Sequence, residues 1–139
     1  YSSALLMLVC IICIMAMAFC PEIILIVGGQ DYYDAVFEAT KGIAERVREI
    51  SGLKSDGNEL FQTAFATKDP YLVTDSEKNE YNGLKELLIS LFHLVRNPMA
   101  HTSKINWKQN ENEALDILTI ISFAHKYLDK CYKNPSKNT

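Results

Sequence analysis

The stretch HLVRNPMAH, residues 93–101, places an arginine, an asparagine and a histidine around a proline. A guanidinium is always protonated and can bind a phosphate through two hydrogen bonds, while an imidazole titrates near neutral pH. These are the groups that chemistry on a phosphate uses to hold charge and to move protons. The sequence therefore predicts a candidate site at Arg96, Asn97 and His101.

Pro98 decides how these side chains are arranged. In one continuous α-helix, Arg96 and His101 would lie about 140° apart around the axis, too far to share a ligand. Because a proline ring clashes with the preceding helical turn, we expect one helix to end near Val95 and the next to begin with Asn97 as its N-cap. This arrangement predicts Arg96 and His101 side by side at a helix start, where an anion is favoured.

A plainer interpretation applies to each of these residues. Arg96 and His101 would then only cap and solvate a bend. His93 and His125 fall within helical patterns without a partner at ligand spacing, so we interpret them as surface or core residues. Trp107 stands in the polar stretch KINWKQN, where it either stacks on a base or, as we favour, anchors a loop to the core.

Helical periodicity dominates the chain from residue 31. Apolar residues recur at three- and four-residue steps at 33–50, at 84–95 and from about Glu111 to Cys131. Gly52 ends the first helix, and SDGNELFQTAF predicts a turn and a short helix. ATKDPYLVTDSEKNEYNG is typical of a long loop, in which YLVT is too short to identify as a strand. The sequence predicts an all-α fold, an antiparallel helical bundle with one long inter-helix loop.

The length, net charge and cysteine content of the chain limit the class of protein. A chain of 139 residues fits one domain, and a formal net charge of -3 excludes a protein that coats nucleic acid through overall positive charge. Cys10, Cys13 and Cys20 lie in an apolar run, where they behave as small hydrophobic residues. We therefore expect no disulfide framework, no metal site and no cofactor, and reduced thiols favour a cytoplasmic protein.

The N-terminal segment, residues 1–30, differs in character from the helical domain at 31–139. Residues 4–20 are seventeen consecutive apolar residues, and Glu22 is the one charged residue before Asp31. Such a run is at the lower edge of what spans a bilayer, and no basic flank sets an orientation. We favour a helix buried against the domain or a second copy of the chain over membrane association. Because the chain begins with Tyr1, we expect further residues upstream.

The segment RNPMAH, residues 96–101, resembles the signature of the HEPN superfamily of small helical nucleases and nucleotide-binding modules. In that signature an arginine, a polar residue, a short spacer and a histidine follow one another. Together with DYYDAVFEATKGIAERVREISGL and DGNELFQTAF, in that order, the segment is similar to the Ymh-type group of prokaryotic hypothetical proteins. The resemblance covers about residues 20–135, and the apolar run before DYYDAV departs from it.

This resemblance implies a homodimer whose two motifs form a composite cleft. It also implies a metal-independent endoribonuclease that acts as a toxin or as an effector of phage defence, a role that an antitoxin or partner domain would fit. Arg96 would then hold the scissile phosphate of the RNA, His101 would be the general acid or base, and Asn97 would orient the phosphate or the loop. The products would carry 2′,3′-cyclic phosphate and 5′-hydroxyl ends.

Two further expectations come with the resemblance. Glu38, Lys41 and Glu45 of the first helix occupy the region where the superfamily carries supporting polar residues, and a charged solvent face explains them equally well. Other members of the superfamily have lost catalysis. The alternative function is therefore a non-catalytic nucleotide- or anion-binding dimerisation module.

Overall fold

The computed structural model describes residues 32–107 and 111–138, and the predicted apolar segment at 1–30 lies outside them. The helices are α1 (Tyr32–Ser51), α2 (Gly57–Ala64), α3 (Lys78–Leu91), α4 (Asn97–His101) and α5 (Glu111–Leu128). A π-helical turn, Phe92–Arg96, joins α3 to α4. Two short strands, β1 (Leu72–Thr74) and β2 (Cys131–Lys133), are followed by a 3-10 turn, Pro135–Lys137. The predicted all-α helical bundle is confirmed.

Helix α1 follows the periodicity of its sequence. Val36, Ile43 and Val47 are fully buried on one face, which is the spacing that an amphipathic helix requires. Gly52 ends the helix with φ at +79°, and its N–H donates to the Arg48 carbonyl at 2.8 Å. A residue with a side chain is strained at this φ, so a glycine is the natural terminator here.

Helix α2 begins at an acidic cap. The side chain of Asp56 accepts a hydrogen bond from the Gly57 N–H at 2.8 Å, which satisfies one of the unpaired donors at the helix start. The helix then buries Leu60, Phe61 and Ala64. The predicted short helix is confirmed, and its start fixes the Asp56 carboxylate at the surface.

The core lies between the apolar faces of α1, α2, α3 and α5. Phe61 and Phe92 meet edge to face, with ring centroids 4.8 Å apart. Trp107 is half-buried and packs edge-on against Tyr33 at 5.3 Å, so its predicted role as an anchor is confirmed. Among the helices that the structure describes, none has both the length and the apolar character needed to cross a bilayer.

The small sheet joins the connection between α2 and α3 to the end of the chain. β1 and β2 are antiparallel, with Leu72 opposite Lys133. Asn134 extends the pairing, because its N–H donates to the Tyr71 carbonyl and its side-chain amide to the Pro70 carbonyl, both at 2.8 Å. Cys131, which the periodicity assigned to the last helix, begins β2 instead, since α5 already ends at Leu128.

Candidate functional site

The helical path continues through Pro98 instead of stopping before it. Arg96 and Asn97 both have α-helical backbone angles, and the N–H of Asn97 donates to the carbonyl of Phe92, five residues earlier. The expectation that one helix ends near Val95 and that Asn97 caps the next is therefore wrong. The N-cap position of α4 is Arg96, whose side chain makes no capping hydrogen bond.

The π turn explains how the helix accommodates the proline. In a regular α-helix the ring of Pro98 would clash with the carbonyl of Leu94 and leave that carbonyl without a donor. A π turn is wider and shifts the hydrogen bonds by one residue, which relieves this conflict. Pro98 then stands in the first turn of α4, where a missing N–H is tolerated.

This geometry separates the two residues that the sequence placed side by side. Because residues 96–101 are helical throughout, Arg96 and His101 project about 140° apart around the axis. Arg96 is half-buried, whereas His101 is exposed and has no hydrogen-bond partner among the described residues. The prediction that Arg96 and His101 of one chain lie side by side at a helix start is therefore wrong, because the π turn keeps the chain helical through Pro98.

Arg96 faces the start of α2. Its Nη2 lies 3.4 Å from Oδ2 of Asp56, and its Nη1 lies 3.4 Å from the side-chain oxygen of Asn97. The guanidinium also lies over the ring of Phe92, with Cζ 5.9 Å from the centroid. Its Nε is buried and has no partner in the described part of the chain. Charge-assisted hydrogen bonds are usually about 2.7–2.9 Å long, so this guanidinium retains donor capacity.

A second arginine shares the same carboxylate. Arg48 of α1 donates through Nη1 to Oδ1 of Asp56 at 3.1 Å and to the carbonyl of Ser55 at 3.4 Å. Burial alone would raise the pKa of Asp56, but the Gly57 N–H and the guanidinium groups of Arg48 and Arg96 outweigh it and lower that pKa. Two cations thus flank one ionised carboxylate, and the cluster keeps a net positive charge.

No local pattern in the sequence joins these three residues, because Asp56 and Arg96 lie 40 positions apart. Asp56 does carry a signal for its other role, since an aspartate before a short helical pattern is a typical N-cap. The sequence thus pointed to Arg96 as a candidate but did not point to Arg48 or Asp56. The partners of Arg96 are set by the packing of α1, α2 and the π turn.

Helix α4 is held against the start of α1. Tyr33 donates through its hydroxyl to the carbonyl of Met99 at 2.9 Å, and Met99 itself is buried. Beyond α4, Lys104 pairs with Asp34 of α1 at 2.6 Å. These contacts fix the backbone that carries His101 while its ring stays at the surface.

The proposed supporting residues of α1 form their own surface group. Lys41 pairs with Glu38 at 3.1 Å and lies over the ring of Phe37, 5.2 Å from the centroid. Glu45 is exposed. Within the described residues, no hydrogen bond or ion pair joins these three side chains to Arg96 or His101. A charged solvent face accounts for them.

A separate cluster joins α1 to the end of α5. Arg46 donates through Nη1 to Nδ1 of His125 at 3.0 Å and to the His125 carbonyl at 3.2 Å, and its Nη2 pairs with Asp129. Because a guanidinium can only donate, Nδ1 of His125 accepts and the proton is on Nε2. This Nε2 is buried without a partner among the described residues. Burial and the nearby Arg46 lower the pKa of His125 to about 4, against the opposing effect of Asp129.

The interpretation of His93 and His125 as surface or core residues is confirmed, because His93 is exposed and His125 is a core residue, 2% exposed. Its charged neighbours were missed, although one of them was visible in the sequence. Asp129 stands four positions after His125, and residues at this spacing are neighbours on a helix. The contact with Arg46 joins positions 79 apart and has no local signal.

An apolar groove of about 200 Å³ lies elsewhere, between α3 and α5. It is lined by Glu80, Gly83, Leu84, Leu87, Phe123 and Tyr127. One lining residue is charged and it is acidic, so the groove does not suit a phosphate. The cluster at Asp56 is therefore the better candidate for an anion.

Comparison with known protein families gives a match that covers most of the helical domain. A family model described as a protein of unknown function, Hypoth_ymh, matches residues 23–128. No curated protein and no solved structure matches the chain. The matched region contains Arg48, Asp56 and the whole RNPMAH segment.

Proposed function

We propose that this chain, which belongs to the Hypoth_ymh family of proteins of unknown function, is a metal-independent endoribonuclease of the HEPN type. In this proposal it acts in the cytoplasm as a toxin or as an effector of phage defence, under the control of an antitoxin or partner domain. The resemblance of RNPMAH to the HEPN signature motivates the assignment. Arg96 holds the scissile phosphate and His101 transfers the proton.

The observation that supports this proposal is the incomplete hydrogen bonding of the Arg96 guanidinium. This guanidinium is fixed by Phe92, Asn97 and Asp56, yet both of its hydrogen bonds are 3.4 Å long and its Nε has no partner among the described residues. A second guanidinium, that of Arg48, points at the same place. A phosphodiester presents two charged non-bridging oxygens, one for each guanidinium, so this pair suits an RNA backbone.

Because Arg96 and His101 of one chain project apart, the proposed site takes His101 from a second copy of the chain. His101 of one protomer accepts the proton of the 2′-hydroxyl, and the 2′-oxygen attacks the phosphorus that Arg96 of the other protomer holds. The P–O2′ bond forms as the P–O5′ bond breaks, the leaving 5′-oxygen takes up a proton from solvent water, and His101 returns its proton to solvent. The products are a 2′,3′-cyclic phosphate and a 5′-hydroxyl.

The test is RNA cleavage in excess EDTA by wild type, Arg96→Ala and His101→Ala. Each substitution is expected to lower the rate by about 10²- to 10⁴-fold, since each removes one group that acts in the transition state. His93→Ala is the matched control, because His93 is also exposed and lies eight positions before His101 on the same helical path. Robust cleavage by both active-site variants, or products with 3′-hydroxyl ends, would refute the mechanism.

Mixing the two inactive variants tests the shared site. A dimer of one Arg96→Ala chain and one His101→Ala chain retains one composite site with both residues intact. We expect cleavage to return in the mixture after the subunits exchange. A mixture that stays inactive, while each variant still dimerises, would place both residues in the same chain.

The alternative is a non-catalytic nucleotide- or anion-binding dimerisation module. One observation favours it: a single chain already brings two arginines together without His101. In that case a nucleotide or phosphate raises the melting temperature and RNA stays intact, and Arg96→Ala abolishes the shift while His101→Ala does not.

A further inference from the structure

We propose that Arg48 is a second phosphate-binding residue and that the carboxylate of Asp56 is an internal competitor occupying the place that the phosphate takes. The inference deepens the proposed function, on which it rests for the source of the phosphate, the RNA backbone. The binding chemistry itself applies to any phosphate. Asp56 would thus lower the affinity of the free protein for its ligand.

The geometry around Asp56 supports an exchange of one anion for another. Oδ1 of Asp56 accepts from Arg48 at 3.1 Å, and Oδ2 lies 3.4 Å from Nη2 of Arg96. The two guanidinium groups are therefore separated by the width of one carboxylate. Two oxygens of a phosphate are spaced similarly, so a phosphate in this position reaches both arginines without a rearrangement of α1 or of the π turn.

Both arginines have donors left for a larger anion. Within the described residues, Arg48 donates through Nη1 to both of its hydrogen-bond acceptors, Asp56 and the carbonyl of Ser55. Arg96 has a buried Nε without a partner in the described part of the chain. A guanidinium offers five N–H donors, and a carboxylate with two oxygens cannot satisfy those of two arginines. The successive phosphates of an RNA strand provide the additional acceptors.

Asp56 is able to leave this position. Its side chain is 56% exposed and stands between α1 and α2, so rotation about its side-chain bonds takes the carboxylate into solvent. Ion pairs at such exposure are weak and hold the carboxylate loosely. Leaving also breaks the hydrogen bond from the Gly57 N–H, which opposes the exchange and makes it reversible.

The experiment measures binding of a fluorescent single-stranded 2′-deoxyoligonucleotide to the full 139-residue chain at fixed ionic strength. This probe has the phosphates of RNA but lacks the 2′-hydroxyl, so binding is read without cleavage. Asp56→Asn removes the charge and keeps an N-cap for α2. We expect roughly fivefold tighter binding by this variant, roughly fivefold weaker binding by Arg48→Met, and competition by inorganic phosphate.

Asp69→Asn is the matched control. Asp69 also pairs with a cation, Lys137, and the substitution changes the net charge by the same amount. It lies in the connection between α2 and α3, where its φ of +55° is one that asparagine also adopts. If Asp69→Asn tightens binding as much as Asp56→Asn, only the total charge matters and the inference is overturned.

The remaining outcomes also decide the inference. Unchanged binding by Arg48→Met, or no competition by inorganic phosphate, would overturn it. If Asp56→Asn does not fold, Asp56→Ser is the second variant, because serine caps helices equally well. Binding that follows the expectation while RNA stays uncut would sink the nuclease proposal alone. RNA cleavage with wild-type binding by the Arg48 and Asp56 variants would sink this inference alone.

Discussion

Arg46 and Arg48 lie two positions apart on α1, yet their acceptors differ. The two side chains are about equally exposed, 26% and 30%. Arg46 contacts the buried ring of His125, the His125 carbonyl and Asp129. Arg48 contacts the Ser55 carbonyl and the exposed carboxylate of Asp56. The burial of the acceptors, not that of the arginines, separates the two sites.

This comparison shows how one helix uses the same residue type in two ways. The Arg46 guanidinium donates to Nδ1 of His125, which would otherwise be buried without a partner at the junction of α1 and α5. The Arg48 guanidinium faces an acceptor that water can replace at low cost. Arg46 is therefore a structural residue, and Arg48 is available to a ligand.

The largest expected effect is on stability at the Arg46 site. Arg46→Met keeps the aliphatic stem but leaves the buried Nδ1 of His125 without a donor and Asp129 without its cation. We expect the free energy of unfolding to fall by about 3 kcal/mol, as is typical when one partner of a buried polar network is removed. Urea denaturation measures this loss. A loss no greater than that caused by Arg48→Met would break the distinction between the two arginines.

The second-largest expected effect is a loss of stability at acid pH. The folded protein lowers the pKa of His125 to about 4, from an ordinary value near 6.5, so folding favours the neutral ring. This ring therefore does not reduce the free energy of unfolding above pH 6.5. As the pH falls toward 4 the free energy of unfolding decreases, because the unfolded chain binds a proton at His125 before the folded protein does. Between pH 6.5 and 4.5 we expect a loss of about 2 kcal/mol in the free energy of unfolding.

His125→Gln isolates this contribution to the acid sensitivity. Glutamine offers Arg46 an acceptor oxygen but does not titrate, so residue 125 would no longer contribute to the pH dependence of the variant. The variant should therefore lose less free energy of unfolding over the same interval. Equal losses in wild type and variant would show that His125 does not titrate with the shift described.

The smallest effect is expected at the other arginine. Arg48→Met should cost less than about 1 kcal/mol in the free energy of unfolding, because it removes an exposed ion pair. The loss of stability that His125 causes between pH 6.5 and 4.5 should stay that of the wild type, since Asp56 and His125 belong to different clusters. At more acid pH the dependence should weaken, because Arg48 no longer lowers the pKa of Asp56. A loss of several kcal/mol would contradict the comparison, because Arg48 would then be a structural residue like Arg46.

The sequence predicted the helices where burial follows a single period. Val36, Ile43 and Val47 mark the buried face of α1, and Gly52 ends it as expected. The pairing of Leu72 with Lys133 was out of reach, because three-residue strands carry too little pattern and their partners lie far apart along the chain. The local pattern of each helix was sufficient to predict it, whereas the pairing of the two strands depends on tertiary packing.

The site was predicted less completely than the fold. RNPMAH pointed to Arg96 and His101 by residue type, but the effect of Pro98 was misjudged. A proline within a helical pattern is normally a stop, and the alternative, a π turn that keeps the chain helical, has no established local signature. Asp56 and Arg48 come from other elements, so only the folded chain brings them to Arg96.

The π turn at Phe92–Arg96 also affects how positions should be counted along this chain. A π turn contains one residue more than the α-helical turn it replaces, so it is equivalent to a single-residue insertion that needs no loop. Each residue beyond it is shifted in phase by about 100° relative to the leucine face of α3. Motif spacings that cross this point therefore compare poorly with those of helices that lack the extra residue.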